Sequence, residues 1–156
     1  MANEIERKFL VLNDAFKTES YQQISIKQGF LNTHKKRTVR VRITNEKAFL
    51  TIKGKSNKSG TTRFEWEKEI AVKEARNLLL LCEKGIIEKK RYLIKSGKHT
   101  FEVDEFLGNH TGLIVAEIEL DNEHDSFLKP SWLGKEVTGD KRYYNSVLSK
   151  GDKTPT

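Results

Sequence analysis

Apolar and polar residues alternate along much of this 156-residue chain, as they do in β-strands that bury one face. With the turn residues between them, they predict eight strands, over residues 3–12, 20–32, 37–44, 47–55, 61–70, 86–96, 98–106 and 113–121. Helical spacing predicts two helices, at 72–84 and 139–149. Short turns favour antiparallel neighbours, in a barrel or a sandwich. An α+β, mainly β, fold with an eight-stranded antiparallel β-barrel as its core fits best.

The length and composition indicate one ordered domain. Hydrophobic residues make up 36% and charged residues 33% of the chain, and no low-complexity linker divides it. We therefore expect a single domain over 1–156, with 151–156 as a disordered tail. The single cysteine, Cys82, lies in an apolar run, and no stretch reaches the length of a membrane span. These features favour packing for Cys82 and a cytoplasmic protein.

The charged residues of the predicted strands fall on one face of each strand. Residues two apart on a strand point the same way, and charges of one sign repeat at this spacing. The acidic sets are Glu4/Glu6, Glu65/Glu67/Glu69, Glu102/Asp104 and Glu117/Glu119, and the basic sets are Arg40/Arg42, Lys53/Lys55 and Lys89/Arg91. Alternation alone also fits a solvated outer face. Like charges side by side repel, so the repeated doublets favour a ligand.

The types of charge indicate what that ligand could be. The net charge of +7 suits an anionic partner. Arginine and lysine bind phosphate oxygens, whereas paired carboxylates are ligands for Mg²⁺ or Mn²⁺. If the charged faces converge, metal and cations together would support phosphoryl transfer.

The strand motifs resemble those of the CYTH family, also called triphosphate tunnel metalloenzymes. Glu4-Ile5-Glu6-Arg7-Lys8 matches the ExExK signature of that family. The later matches, in order, are Arg40-Val41-Arg42, Thr51-Ile52-Lys53-Gly54, Glu65-Trp66-Glu67, Lys89-Lys90-Arg91-Tyr92, Val103-Asp104, Glu117-Ile118-Glu119 and Glu136-Val137-Thr138-Gly139-Asp140. A lone ExExK would be weak evidence, but ordered matches along the chain are specific.

The resemblance implies an eight-stranded tunnel with its charges inside. It implies triphosphate-binding roles for Lys8, Arg40, Arg42, Lys53, Lys89 and Arg91. It implies divalent-metal ligation by Glu4, Glu6, Glu117 and Glu119, with Glu65, Glu67 and Asp104 in support. Lys8 has a second predicted role in proton transfer near the attacking water, which places it with Glu4 and Glu6 in the catalytic group. Arg142, beside two tyrosines that could close one end, is a further supporting candidate.

Members of the family differ in reaction, so the resemblance leaves the activity open. Gln28-Gly29-Phe30-Leu31 and the segment from Glu136 to Asn145 are more similar to the tripolyphosphatase branch. The expected activity is hydrolysis of inorganic tripolyphosphate with Mg²⁺ or Mn²⁺. The alternatives are an adenylate cyclase of the fourth class and a non-catalytic module that binds polyphosphate or RNA. If the protein hydrolyses tripolyphosphate, we expect neither nucleic-acid nor membrane partners. A homodimer is compatible with the sequence.

Overall fold

The structure is a computed structural model that describes residues 2–151, 154 and 155. Its strands are Ala2–Val11 (β1), Gln22–Asn32 (β2), Arg37–Thr44 (β3), Lys47–Gly54 (β4), Thr62–Ile70 (β5), Ile87–Ser96 (β6), His99–Phe106 (β7), Ile114–Glu119 (β8) and Leu133–Glu136 (β9). The α-helices are Phe16–Glu19 (α1), Val72–Leu79 (α2) and Asn145–Leu148 (α3), and short 3₁₀ turns occupy Gly108–His110 and Lys141–Tyr143.

Eight of the strands close into an antiparallel barrel. Around it the order is β5-β4-β3-β2-β6-β7-β8-β1, and β1 also pairs with β5. Strand β1 closes the ring because its first residues, 2–5, pair with β5, whereas residues 6–10 pair with β8. The predicted eight-stranded antiparallel barrel is therefore confirmed, with β9 added at the end of β1.

The boundaries differ from the sequence prediction mainly in the helices. The predicted helix 72–84 ends as α2 at Leu79, because the next three amide groups donate to carbonyls three residues back. The predicted helix 139–149 is broken at Tyr144, whose backbone is extended with ψ 133°. Sequence patterns predicted neither α1 nor β9, each of which has only four residues.

Most of the hydrophobic core lies outside the barrel wall. Helix α2 places Ala75 against Val41 of β3 and Ala48 of β4. On the opposite side, Trp132 and Phe16 are fully buried and pack edge-on at 6.0 Å between ring centroids. Their cluster covers the outward-facing apolar residues of β1, β6, β7 and β8. Because apolar packing is supplied from outside, the barrel interior is left for polar side chains.

One end of the interior is closed by apolar side chains, which we call the apolar plug. Ile87, Phe106 and Val115 are inward-facing, since they share the strand faces of charged residues further along β6, β7 and β8. They pack against Tyr143 and Leu148 from residues 141–148, the closing segment. The barrel is therefore blind at this end.

The chain beyond the closing segment follows the same end of the barrel. His110 contacts the backbone oxygen of Leu148 at 2.8 Å through Nε2 and the Thr154 hydroxyl at 3.1 Å through Nδ1. The predicted disordered tail, 151–156, includes 152, 153 and 156, which lie outside the described residues. No helix in the described part of the chain is long and apolar enough to cross a membrane.

Candidate active site in the barrel interior

The barrel encloses a cavity of about 280 Å³, the tunnel, whose wall is crowded with charge. Seven basic and seven acidic side chains line it. The basic residues are Lys8, Arg40, Arg42, Lys53, Arg63, Lys89 and Arg91. The acidic residues are Glu4, Glu6, Glu65, Glu67, Glu102, Glu117 and Glu119. The structure thus places most of the predicted charge sets on the inner surface; Lys55 and Glu69 are exposed elsewhere, and Asp104 is buried beside the tunnel.

Much of this charge divides by sign between two sides of the tunnel, although Lys8 lies on β1 and strands β4 and β5 together carry both signs. Arg40 and Arg42 of β3 lie one strand away from Lys89 and Arg91 of β6, with β2 between them. We call these four residues the basic wall. Strands β7, β8 and β1 are neighbours on the other side and carry the acidic wall, formed by Glu102, Glu117, Glu119, Glu4 and Glu6. A polyanion and its counter-cations can therefore contact opposite surfaces of one cavity.

Asp104 anchors half of the basic wall from behind. It accepts two hydrogen bonds from Arg91, at 2.8 and 2.9 Å, and lies 2.7 Å from Lys89 Nζ. Burial opposes ionisation of Asp104, but Arg91 and Lys89 outweigh it and hold the pKa of this carboxyl well below its usual range. Asp104 is 2% exposed and is not among the residues that line the tunnel. Its position fits a supporting role.

The single negative charge of Asp104 faces two cations, Arg91 and Lys89, so Lys89 is not fully neutralised. The carboxylate is shared with Arg91, which takes both of its oxygens. Burial, together with the charges of Arg91 and Arg42, outweighs the attraction of Asp104 and lowers the pKa of Lys89 to about 7. A phosphate in the tunnel would favour the charged form of this lysine.

Other cations of the tunnel lack close carboxylate partners. Within the described residues, Arg42 and Lys8 form no ion pair; Arg42 donates to Gln28 Oε1 at 2.8 Å and Lys8 to the Tyr143 backbone oxygen at 3.2 Å. Arg40 is 3.7 Å from Glu67, and its buried Nε has no hydrogen-bond partner in the described chain. Burial and the Arg40 charge lower the pKa of Arg42. Arg42 and Lys8 are thus unpaired and Arg40 has one distant partner, and such cations are suited to an anionic ligand.

The acidic wall contains a close carboxyl pair. Burial, and then the charge of Glu117, raise the pKa of Glu6 well above its usual range, so protonated Glu6 donates to Glu117. Burial opposes ionisation of Glu117, but Lys8 and this hydrogen bond outweigh it and lower its pKa. Within the described residues, no three His, Cys, Asp or Glu side chains are already arranged to hold a metal ion. The predicted metal ligands thus form a pair with two further carboxylates on the same wall.

A mixed group lies further along β1. Lys53 Nζ is 2.9 Å from Glu4 and 3.4 Å from Glu65. The hydrogen bond to Glu4, then burial, raise the pKa of Glu65 to about 7. Burial opposes ionisation of Glu4, but the Glu65 hydrogen bond and Lys53 outweigh it and lower its pKa to about 2. Lys53, like Arg91 with Asp104 and Glu102, therefore has two carboxylate partners.

Several tunnel residues were missed by the sequence prediction, and one predicted residue lies elsewhere. Arg63 lines the tunnel and donates to the Gly54 backbone oxygen at 3.0 Å; its shared face with Glu65 could have identified it. Asn145 also lines the tunnel, with Gln28 behind it; both occur in segments that resemble the tripolyphosphatase branch, but no individual role was predicted for either. Arg142 is exposed, pairs with Asp140 at 2.8 Å and does not line the tunnel.

Comparison with known proteins matches the whole described barrel. A family model described as a CYTH domain covers residues 2–152. An inorganic triphosphatase of Acetivibrio thermocellus is 50% identical, over 96% of this chain and 95% of the relative. An inorganic triphosphatase of Nitrosomonas europaea is 36% identical, over 94% and 96%. A crystal structure of an inorganic triphosphatase superposes with a TM-score of 0.67 at 32% identity, covering 95% of this chain and 98% of the other. This chain belongs to the CYTH domain family.

Proposed function

We propose that this protein hydrolyses inorganic tripolyphosphate inside the tunnel, with the help of a divalent metal ion. The observation that carries the proposal is the division of the tunnel into a basic wall and an acidic wall. Relatives covering nearly the whole chain are inorganic triphosphatases, which supports the same substrate class.

The basic wall is suited to hold the phosphate chain. Arg42 of this wall, and Lys8 on β1, have no carboxylate to displace among the described residues. Arg91 is fixed by Asp104, so its guanidinium is oriented before substrate arrives. These cations neutralise charge that develops on the phosphate oxygens during transfer, which is the main contribution that enzymes make to this reaction.

The acidic wall has the donor chemistry for Mg²⁺ or Mn²⁺. Glu6 lies opposite Glu119 in the register of β1 and β8 and shares a hydrogen bond with Glu117 of the same strand as Glu119, and Glu4 lies on the same wall. Carboxylate oxygens are the ligands that these hard cations prefer. When bound, the metal supplies charge neutralisation and polarises phosphate oxygens.

Lys8 is the residue that we assign to proton transfer at the attacking water. It lies opposite Glu117 in the strand register and contacts the closing segment through Tyr143. In a Lys8→Met variant, the pH–rate profile should lose one limb in addition to any loss of affinity. A variant that keeps the normal profile and loses only affinity would limit Lys8 to substrate binding.

Phosphate release tests the function itself. Purified protein with tripolyphosphate and Mg²⁺ or Mn²⁺ should release orthophosphate, and a chelator should stop the release. ATP should be tested beside it, because cyclic AMP and pyrophosphate as products would indicate the cyclase instead. RNA binding with a steep salt dependence and no phosphate release from either substrate would favour the non-catalytic module.

Location and assembly also belong to the proposal. A cytoplasmic location is supported by the single cysteine, and a homodimer remains a prediction. Sedimentation of the purified protein would determine its oligomeric state.

A further inference from the structure

We propose that Asn145 and Gln28 form a relay that positions the cations of the basic wall for the substrate. The relay rests on the proposed function, because its task is to hold Arg42 and Lys89 toward a bound polyphosphate. It gives the closing segment a role in the reaction besides blocking the barrel.

The relay consists of three consecutive hydrogen bonds. Arg42 Nε donates to Gln28 Oε1 at 2.8 Å, and Gln28 Nε2 donates to Asn145 Oδ1 at 2.9 Å. Lys89 Nζ donates to the same Asn145 oxygen at 2.8 Å. The Asn145 oxygen therefore joins β2 and β6, and Gln28 extends the network to Arg42 on β3, which is not a neighbour of β6.

The direction of each bond is determined by chemistry. Arginine and charged lysine only donate, so the atoms facing Arg42 and Lys89 must be oxygens. Gln28 then has its amide nitrogen toward Asn145, whose oxygen accepts from both Gln28 and Lys89. Every member is satisfied in one arrangement, and such a network is rigid.

The relay is largely buried, so a hydrogen-bonding group left there without a partner would destabilise the protein. Gln28 is 0% exposed and Lys89 is 1% exposed. Among the residues that the structure describes, Arg42 forms no ion pair with a carboxylate. Lys89 pairs only with Asp104, and it shares that carboxylate with Arg91. A neutral acceptor orients these two cations without cancelling their charge, which a carboxylate at position 145 would do.

A double-mutant cycle tests whether the residues act as a unit. The variants are Gln28→Ala, Asn145→Ala and both together, with Val147→Ala, exposed on the same helix, as the matched control. The readout is the Kd for tripolyphosphate in the presence of a chelator, beside kcat and KM with metal. We expect each single change to weaken binding about 10- to 100-fold, as loss of a hydrogen bond to a charged group does. The double variant should lose no more than the weaker-binding single variant. Losses that multiply, or singles that bind like Val147→Ala, would overturn the relay.

A charge-changing variant separates positioning from simple support of the fold. Asn145→Asp keeps both acceptor bonds, so its melting temperature should stay near that of the wild type. Besides the new carboxylate, Lys89 faces Asp104, Arg91 and Arg42. The added charge stabilises protonated Lys89, so the affinity of the variant should be lower but should persist to higher pH than in the wild type. An unmoved pH midpoint would contradict the proposal, including in a case where the alanine variants fail to fold.

The two proposals fail in different ways. If the wild type binds tripolyphosphate but releases no phosphate, hydrolysis is wrong and the binding cycle still tests the relay. If hydrolysis occurs and the cycle is additive, only the relay is wrong. A wild type that binds no polyanion would overturn both.

Discussion

Individual charges in the tunnel differ in how far they are compensated before substrate arrives. Lys53 has two carboxylates within 4 Å, whereas Arg42 has none in the described ion pairs. Unpaired buried cations repel each other in the free protein and bind an anion more strongly for that reason. Affinity should therefore depend most on the cations that lack a carboxylate partner.

Arg42→Ala should weaken the stabilisation that tripolyphosphate gives. A ligand at 100 times its Kd stabilises the folded state by about 2.7 kcal/mol, and this gain shrinks when affinity falls. We expect a smaller rise in melting temperature than in the wild type. Without ligand the melting temperature should change little, because removal of an unpaired charge is offset by the loss of the donor to buried Gln28 Oε1. Thermal melts with and without tripolyphosphate measure the two melting temperatures. Arg76→Ala, on the exposed part of α2, removes the same charge and should keep the full rise; equal rises in both variants would contradict the assignment of Arg42.

Affinity for tripolyphosphate should fall as the pH rises above neutrality. The pKa of Lys89 is lowered to about 7 in the free tunnel, and a bound polyanion favours the protonated form and raises that pKa. Protonated Lys89 is thus present before binding below pH 7, and above pH 7 binding must take up a proton, which weakens it. The ratio of wild-type affinity to that of Lys89→Met isolates this effect, because titration of the ligand itself cancels. A ratio that stays constant between pH 6 and pH 9 would show that Lys89 does not titrate there.

Short elements at the blind end hold the closing segment in place. Gly85 has φ 102°, and a Cβ there would meet the Ser149 backbone oxygen, which follows α3. Only glycine allows both the left-handed backbone and this close approach.

Gly85→Ala should therefore displace α3 and reduce activity. The backbone strain costs roughly 1–2 kcal/mol, and relief of the clash costs about 1–3 kcal/mol more. The matched control is Gly112→Ala, which has the same φ of 102° but no atom within 4 Å of its added Cβ. Urea unfolding should show a larger loss of stability for Gly85→Ala, and phosphate release should fall in that variant alone. Equal losses in the two variants would show that Gly85 does not locate α3.

The sequence predicted the elements where periodicity was long and missed them where it was short. Strands β3 and β4 were predicted within one residue because their alternation runs for eight residues. Helix α1 and strand β9 have four residues each, which is too few for a period to stand out. In the tunnel, charge repeated at strand spacing identified both walls. Gln28 and Asn145 were missed because an uncharged amide on a strand or helix looks the same in a network as at a surface.

At the scale of the whole molecule, the parts that fold the protein are separate from the parts that bind the ligand. The alternation of side chains along each strand could not determine which face pointed into the barrel. The resemblance to a family supplied that answer. In the structure, Trp132 and Phe101 are fully buried in the outer core, whereas Glu119 lines the tunnel. Stability and activity should therefore respond to different substitutions.

Trp132→Ala and Glu119→Gln test this separation. Removing a buried tryptophan side chain costs about 3–5 kcal/mol of unfolding free energy, with activity per folded molecule retained. Burial and the Glu4 and Glu102 charges raise the pKa of Glu119, so a neutral glutamine there should leave stability unchanged or improved. Its metal-dependent activity should fall at least about tenfold, as expected for loss of a charged ligand. Chemical unfolding and phosphate release should be measured on both variants. A larger loss of stability in Glu119→Gln than in Trp132→Ala would show instead that the tunnel charges hold the fold together.

The apolar plug determines how a linear substrate can enter. With Ile87, Phe106 and Val115 filling one end behind Tyr143 and Leu148, a phosphate chain cannot thread through the barrel and must approach by its tip. The part of a longer phosphate chain beyond its first few phosphates stays in solvent. We therefore expect the protein to act on the ends of a phosphate chain and to leave intact a substrate that carries bulky groups at both ends.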